Sequence, residues 1–167
     1  MTTAKRVLVT FAGLFASIGV VCAGVYIVGK ASSEPEIHLI PRGYHGPVVI
    51  IFGQSDGAPP KYEGGARVYE IPQSGVLKTT MKPQSAGWRA PGMIRYYYVG
   101  SGGGRIELDE VFGQKLTDDG KSHIYLHGAY GEASKAGKQR TFETYFVVDK
   151  SDDLEQWRQL QPDMIWR

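Results

Sequence analysis

Pro47-Val-Val-Ile-Ile-Phe52 is the strongest strand signal in the chain. A strand with one solvated face alternates polar and apolar residues, whereas this run is apolar throughout. Such a run is typical of a strand that is buried on both faces. It therefore predicts a central strand in a β-rich domain that has a real core.

Further segments with strand character lie before and after this run, separated by turns rich in Gly and Pro. Pro72-Gln-Ser-Gly75 is predicted to close a hairpin between residues 67–71 and 76–81, with Gly75 at positive φ. About eight short strands predict a mostly β fold, either an antiparallel β-sandwich or an open barrel. The other predicted strands are 37–40, 93–99, 105–109 (returning antiparallel to 93–99), 123–127 and 141–148, and residues 131–137 are predicted as a loop.

One soluble helix is predicted at the C-terminus, from Asp152 to about Leu160. Asp152 is suited to cap its N-terminus, with Glu155 three residues on. Leu154, Trp157 and Leu160 share one face of such a helix, which predicts that it docks on the sheet.

The N-terminal part of the chain is of a different kind. Residues 7–28 carry no charge, and as a helix these 22 residues span about 33 Å at roughly 1.5 Å per residue. A bilayer core is about 30 Å thick, so we expect an uncleaved single-pass signal-anchor. Lys5 and Arg6 precede the segment and only Lys30 follows it, which places the N-terminus in the cytoplasm of a cell with an inner membrane and the rest in the periplasm or outside. The predicted organisation is an anchor at 1–30, a linker at 31–36 and a β-rich extracytoplasmic domain at 37–167.

Two alternatives to the anchor remain open. The segment also suits a signal peptide cleaved near Val21-Cys22-Ala23, which leaves a secreted domain. A lipoprotein would use Cys22, although Val21 stands where signal peptidase favours Gly, Ala or Ser.

Charge and cysteine content exclude several classes of protein. Lys5, Arg6 and Lys30 supply three of the 19 basic residues, and no acid precedes residue 31, so 16 basic and 17 acidic residues remain beyond it. This balance predicts no nucleic-acid partner. Cys22 is the only cysteine, so the domain has neither a disulfide nor a thiol nucleophile.

The stretch Leu39-Ile-Pro-Arg-Gly-Tyr-His-Gly-Pro-Val-Val-Ile-Ile-Phe52 resembles the opening of an uncharacterised bacterial envelope family with the pattern IPxGYxGxVxIxF. The pattern continues as RxYxIPxxGxL in Arg67-Val-Tyr-Glu-Ile-Pro-Gln-Ser-Gly-Val-Leu77, and Tyr96-Tyr-Tyr-Val99 fits as well. A looser likeness connects the chain to transthyretin-like and carboxypeptidase-regulatory-like β-sandwiches. The first resemblance implies a domain of unknown function, and the second implies a fold only.

No residue is assigned a catalytic, cofactor-binding or metal-binding role. His123 and His127 share a strand face but lie about 13 Å apart at roughly 3.3 Å per residue, so they need His38 or His45 to form a metal site. Serines lack a recognisable base, and the pair Glu107 and Asp109 suits a solvated face better than a glycosidase.

Aromatic residues are the most suggestive feature of the outer domain. Exposed Tyr and Trp favour binding surfaces because they bring a large area at low entropic cost. A binding surface is therefore predicted at Tyr44, Trp88, Tyr96, Tyr97 and Tyr98, with packing in the core as the alternative.

Three functional hypotheses follow. The leading one is a membrane-anchored interaction or assembly domain of the bacterial envelope, with lipid contacted by residues 7–28 and a protein partner met by the domain. The alternatives are an envelope glycan or peptidoglycan hydrolase and a small accessory subunit of a membrane complex. Small residues such as Gly13 and Ser17, four apart in the anchor, permit the close helix packing that a subunit needs. The oligomeric state stays open.

Overall fold

Eleven strands and one helix form within the residues that the computed structural model describes, namely 33–84, 92–111, 120–125, 130–149 and 154–166. The strands are β1 (Glu36–Pro41), β2 (Gly46–Ile51), β3 (Tyr62–Glu63), β4 (Ala66–Glu70), β5 (Val76–Lys78), β6 (Ile94–Val99), β7 (Arg105–Leu108), β8 (Glu110–Val111), β9 (His123–Tyr125), β10 (Tyr130–Lys135) and β11 (Lys138–Val148). The helix is α1 (Leu154–Met164). The prediction of a mostly β fold with a short C-terminal helix is confirmed.

β1 is the centre of the first sheet, whose strand order is β3-β4-β1-β6-β7. It runs parallel to both neighbours, so His38 lies beside Tyr69 on one side and beside Tyr96 on the other. Burial alternates along β1, because successive side chains of a strand point to opposite faces. Glu36, His38 and Ile40 are the residues that point inward.

β2 and β11 form the centre of the second sheet, whose order is β5-β2-β11-β9-β8. β2 is antiparallel to β11 and parallel to β5. β11 is long enough for β10 and β9 to pair one after the other along its second edge, β10 at residues 138–143 and β9 at residues 146–148.

The two sheets share one hydrophobic core. Val48 and Ile50 of β2 belong to it together with Ile40 of β1 and Tyr96 of β6, so the inner faces of both sheets are packed against each other. The alternate residues of β2 are also buried, but on the other face. The uninterrupted apolar run at 47–52 is thus explained, and its predicted burial on both faces is confirmed.

α1 and the residues after it cover the outer face of the second sheet. Val49 and Ile51 of β2 pack there against Met164 and Ile165. Trp157 also stacks on Phe146 of β11, with ring centroids 6.2 Å apart. The predicted docking of the C-terminal helix on a sheet is confirmed, although the helix runs on to Met164 with Pro162 inside it.

The prediction of a purely antiparallel fold is wrong, because both sheets are mixed. The chain leaves the first sheet after β1, adds β2 to the second sheet, and returns to place β4 beside β1. Parallel neighbours require a crossover connection, and the excursion through β2 provides one between β1 and β4.

Two local predictions are also wrong. Residues 67–71 and 76–81 do not pair as a hairpin, since β4 belongs to the first sheet and β5 to the second. The turn itself exists, with the Gly75 N–H donating to the Pro72 carbonyl at 2.9 Å and Gly75 at φ +74°. Residues 131–137, predicted as a loop, instead form β10 and a tight turn into β11.

The predicted anchor at residues 7–28 lies outside the described residues, so it stays a prediction. Within the described ranges, no helix combines the length and the apolar character that crossing a bilayer requires.

Candidate functional site

A cluster of buried polar side chains lies between the two sheets. β1 contributes Glu36 and His38, whose exposed fractions are 1% and 0%. β11 contributes Glu143, also exposed to only 1%, from the opposite sheet. Each of the three offers one possible ligand atom, and these atoms lie within 4.8 Å of one another. Among the described residues, this is the group of His and acidic side chains that geometry permits to hold a metal ion.

Contacts to neighbouring polar groups position His38 and Glu36. The Nδ1 atom of His38 is 3.2 Å from the hydroxyl of Tyr145, and its Nε2 atom is 3.4 Å from Oε2 of Glu36. The side-chain amide of Gln84 donates to Oε1 of Glu36 at 2.6 Å. Gln84 also bonds the backbone N–H and carbonyl of Glu34, so it connects the segment before β1 to the cluster.

Three tyrosine rings surround His38. The ring centroids of Tyr69, Tyr96 and Tyr145 lie 5.0, 4.8 and 5.4 Å from the imidazole centroid. Tyr69 and Tyr96 come from the strands on either side of β1, while Tyr145 comes from β11. The cluster is therefore enclosed by aromatic carbon on several sides, in a medium of low polarity where charge interactions are strong.

Burial and the nearby carboxylates raise the pKa values of two of these tyrosine hydroxyls. Burial raises the pKa of Tyr69, and the negative charge of Glu36 raises it further, while Arg67 acts in the opposite direction. Burial likewise raises the pKa of Tyr145 well above its usual value, with Tyr96 and Glu143 adding to the rise. Both phenols therefore stay protonated and neutral at physiological pH.

Two carboxylates and an imidazole in such a setting are suited to holding a cation or to sharing protons. A buried carboxylate is costly unless it is neutralised by a partner, by a proton or by a metal ion. The site offers no access to a large substrate, since its three titratable side chains are at most 1% exposed. Its chemistry is that of an enclosed ion site rather than an open cleft.

The histidines considered from the sequence do not gather around one point in the described residues. His38 meets glutamates rather than other histidines. His45 lies 3.9 Å from Asp149 at the surface, and His123 is buried at the start of β9. His127 lies outside the described residues.

The acidic pair considered for hydrolysis sits at the surface. Glu107 accepts from the Arg95 guanidinium at 2.9 and 3.2 Å, which lowers the pKa of this exposed carboxyl chiefly through those hydrogen bonds. An exposed ion pair of this kind contributes little to stability, but it occupies the Glu107 carboxylate and leaves it unsuited to proton transfer.

The tyrosines of the predicted aromatic surface are buried. Tyr44 and Tyr98 lie in the core, where the Tyr98 hydroxyl donates to the Tyr44 carbonyl at 2.6 Å, and Tyr96 belongs to the cage around His38. Tyr97 points to the outer face of the first sheet, beneath two guanidinium groups at 5.1 and 5.7 Å. Trp88 lies outside the described residues. A binding role for these five residues stays a prediction, and four of them have packing roles in this structure.

Glu36, Glu143 and Gln84 were missed from the sequence. The predicted linker at 31–36 includes Glu36, whereas in the structure Glu36 is the first residue of β1. The signal was present in the alternation Glu36-Ile-His-Leu-Ile40, in which two polar residues occupy the phase that points inward. Glu143 lies two residues before Tyr145 in β11 and so points to the same inner face, at the start of the buried half of that strand.

The fold has a counterpart among solved structures. It matches the crystal structure of a Bacillus anthracis protein described as a "Putative Lipoprotein", with a TM-score of 0.51 and 17% identity over 79% of this chain and 94% of the other. Identity at this level shows a shared fold alone. No curated protein matches the chain.

Family membership is the stronger finding, because a family model matches residues 32–156. It confirms the prediction of an uncharacterised domain, but it supports neither the detailed motif pattern nor the likeness to transthyretin-like sandwiches. The matched residues contain β1, β11 and therefore the whole buried cluster. The chain belongs to DUF6843, a family of unknown function.

Proposed function

We propose that this protein is a membrane-tethered, extracytoplasmic binding domain of the bacterial envelope. The observation that carries the proposal is the uncharged segment at residues 7–28, which a short spacer joins to the central strand β1 at Glu36. A single apolar segment of this length, preceded by a basic pair, holds the chain in the membrane with the folded domain outside.

The fold match supports this placement. The Bacillus anthracis protein whose fold this chain shares is described as a lipoprotein, and lipoproteins are held at a membrane by their N-terminus. The same arrangement suits this chain, whether a helix or a lipid on Cys22 provides the attachment.

Binding fits the structure better than hydrolysis. The two carboxylates that the fold brings together, Glu36 and Glu143, are enclosed between the sheets and cannot reach a glycan. By contrast, the large apolar side chains that the described residues expose are Tyr62, Ile106 and Tyr130, and each lies on an edge strand. Edge strands with exposed apolar side chains are suited to pairing with a partner chain.

Protease accessibility tests the orientation. In cells whose cytoplasmic membrane is intact and exposed, added protease should digest the domain of the full chain while a cytoplasmic marker survives. Ile18→Lys places a charge at the middle of the segment, at a cost of about 3 kcal/mol for insertion, and should release the chain from the membrane fraction. Digestion of the wild-type domain only after cell lysis would place the domain inside the cell and contradict the proposal.

Cys22→Ala distinguishes the helical anchor from the lipid. We expect the variant to stay in the membrane fraction and its intact mass to include residues 2–30, because the helix alone is long enough to span. The measurement is intact mass spectrometry of wild type and variant after detergent extraction. Loss of membrane retention in the variant, with a lipid-sized mass increase on the wild-type Cys22, would show that a lipid rather than a helix anchors the chain.

A further inference from the structure

We propose that Glu36, His38 and Glu143 bind a divalent transition-metal ion between the two sheets. The site involves only the folded domain, so it stands or falls independently of how the chain is attached to a membrane.

Ligand spacing supports the site. Zn²⁺ binds nitrogen and carboxylate oxygen at about 2.0–2.2 Å, so two ligands of a tetrahedral ion lie about 3.4 Å apart. The Nε2 atom of His38 and Oε2 of Glu36 are 3.4 Å apart. A separation of this size is long for a hydrogen bond but matches two ligands of one ion. The ligand atom that Glu143 offers lies within 4.8 Å of both, which makes Glu143 the third member of the ligand set.

Outer hydrogen bonds aim the ligand atoms at one point. The Nδ1–H of His38 can donate to the Tyr145 hydroxyl, 3.2 Å away, which leaves Nε2 with the free lone pair that a metal needs. Gln84 donates to Oε1 of Glu36 and leaves Oε2 facing His38. Metal-binding histidines and carboxylates are characteristically held by outer partners of this kind.

The charge of the three ligands also favours a bound cation. Metal binding uses the glutamates in their ionised form and the imidazole in its neutral form, so the three ligands together carry a charge of −2. A divalent cation balances that charge while keeping all three ligands in their metal-binding forms.

A second, independent observation concerns Tyr69. Its hydroxyl is buried, and the nearby Arg67 guanidinium makes no hydrogen bond of ordinary geometry to it. The ring lies 5.0 Å from that of His38, so Tyr69 borders the same cluster. A buried hydroxyl without a partner is rare in native proteins, and a bound ion with its ligand water would satisfy it.

The donor set selects the kind of ion. One imidazole with two carboxylates suits Zn²⁺ and neighbouring first-row ions, whereas Mg²⁺ and Ca²⁺ prefer oxygen ligands alone. Because the site is enclosed, the ion enters during folding, and metal binding and folding are coupled.

Refolding with and without metal tests the proposal. The full chain, unfolded in denaturant with chelator and then passed into mild detergent, is refolded with Zn²⁺, with Mg²⁺ or with chelator alone. We expect one Zn²⁺ per chain after desalting, and a midpoint of thermal unfolding raised by about 5–10 °C at saturating Zn²⁺. Mg²⁺ should reproduce neither result. Co²⁺ in place of Zn²⁺ should give a visible absorption band from coordination by nitrogen and oxygen.

Matched variants locate the ion. Glu143→Gln and His38→Gln should lose stoichiometric Zn²⁺, and Tyr145→Phe should weaken binding by about 10–100-fold because only an outer partner is lost. Glu107→Gln, the same change at the surface pair with Arg95, should bind as wild type does. If Glu143→Gln does not fold, the wild-type stoichiometry and Co²⁺ spectrum still decide. Wild-type protein that retains no Zn²⁺ and gives no Co²⁺ band overturns the proposal and leaves a cluster held by protons alone, as does Zn²⁺ retained equally by Glu143→Gln and wild type.

Discussion

The free energy of unfolding should fall steeply above pH 10. Burial raises the pKa of Tyr44 to about 12, and burial with nearby negative charge raises those of Tyr69 and Tyr145 as well. An unfolded tyrosine ionises near pH 10. Between its unfolded and folded pKa values, each of the three holds its proton only in the folded state, so rising pH favours unfolding. This contribution is fully present below pH 10 and is lost as the pH rises through the folded values.

The expected slope is about 1.4 kcal/mol per pH unit for each tyrosine, or about 4 kcal/mol per pH unit for the three together. Urea unfolding at a series of pH values from 8 to 12, followed by tyrosinate absorbance, measures it. Tyr69→Phe is the matched control, since its hydroxyl makes no hydrogen bond and its removal takes one proton out of the balance. The slope of the variant should be smaller by about one third. Equal slopes for wild type and Tyr69→Phe would show that Tyr69 ionises as readily when folded as when unfolded.

The elements of this fold could be predicted from the sequence where one short pattern determines them. The apolar run at 47–52 specified β2 with both faces buried, and the predicted antiparallel return of 105–109 along 93–99 is confirmed in β6 and β7. The sheet to which each strand belongs could not be predicted. Pro72-Gln-Ser-Gly75 makes a turn that serves equally for a hairpin and for a crossover between sheets, so its residues do not distinguish the two.

The same limit applies to the buried cluster. Glu36 and His38 lie two residues apart on one strand, so their shared face could be read from alternation once β1 is extended to Glu36. Glu143 and Tyr145 come from β11. Tyr145, which contacts His38, is 107 residues away from it in the sequence. Which strand lies opposite β1 is set by the packing of two sheets, and no local pattern encodes it. The available sequence signal was a carboxylate at a strand position that points inward.

Gly75→Ala should destabilise the protein by about 3 kcal/mol or more, which corresponds to a drop of roughly 10 °C in the midpoint of thermal unfolding. A Cβ at Gly75 would lie 2.0 Å from the Tyr44 hydroxyl and 2.6 Å from the Pro47 carbonyl oxygen. Neither group can move aside without a loss of stability, because the hydroxyl donates to that carbonyl at 2.5 Å and the carbonyl belongs to the buried strand β2. The left-handed backbone at φ +74° adds about 1–2 kcal/mol for any residue with a side chain.

Gly64→Ala separates the two causes, because Gly64 has φ +57° and no atom lies within 4 Å of a Cβ placed there. It should cost only the backbone part, about 1 kcal/mol. Tyr44→Phe removes the hydroxyl that the new methyl group strikes, so combining it with Gly75→Ala should cost less than the sum of the two single changes. Urea unfolding of the four proteins in this cycle measures the coupling. Strict additivity would mean that the Pro47 carbonyl and the backbone conformation, rather than the Tyr44 hydroxyl, make glycine necessary where the chain passes from the first sheet to the second.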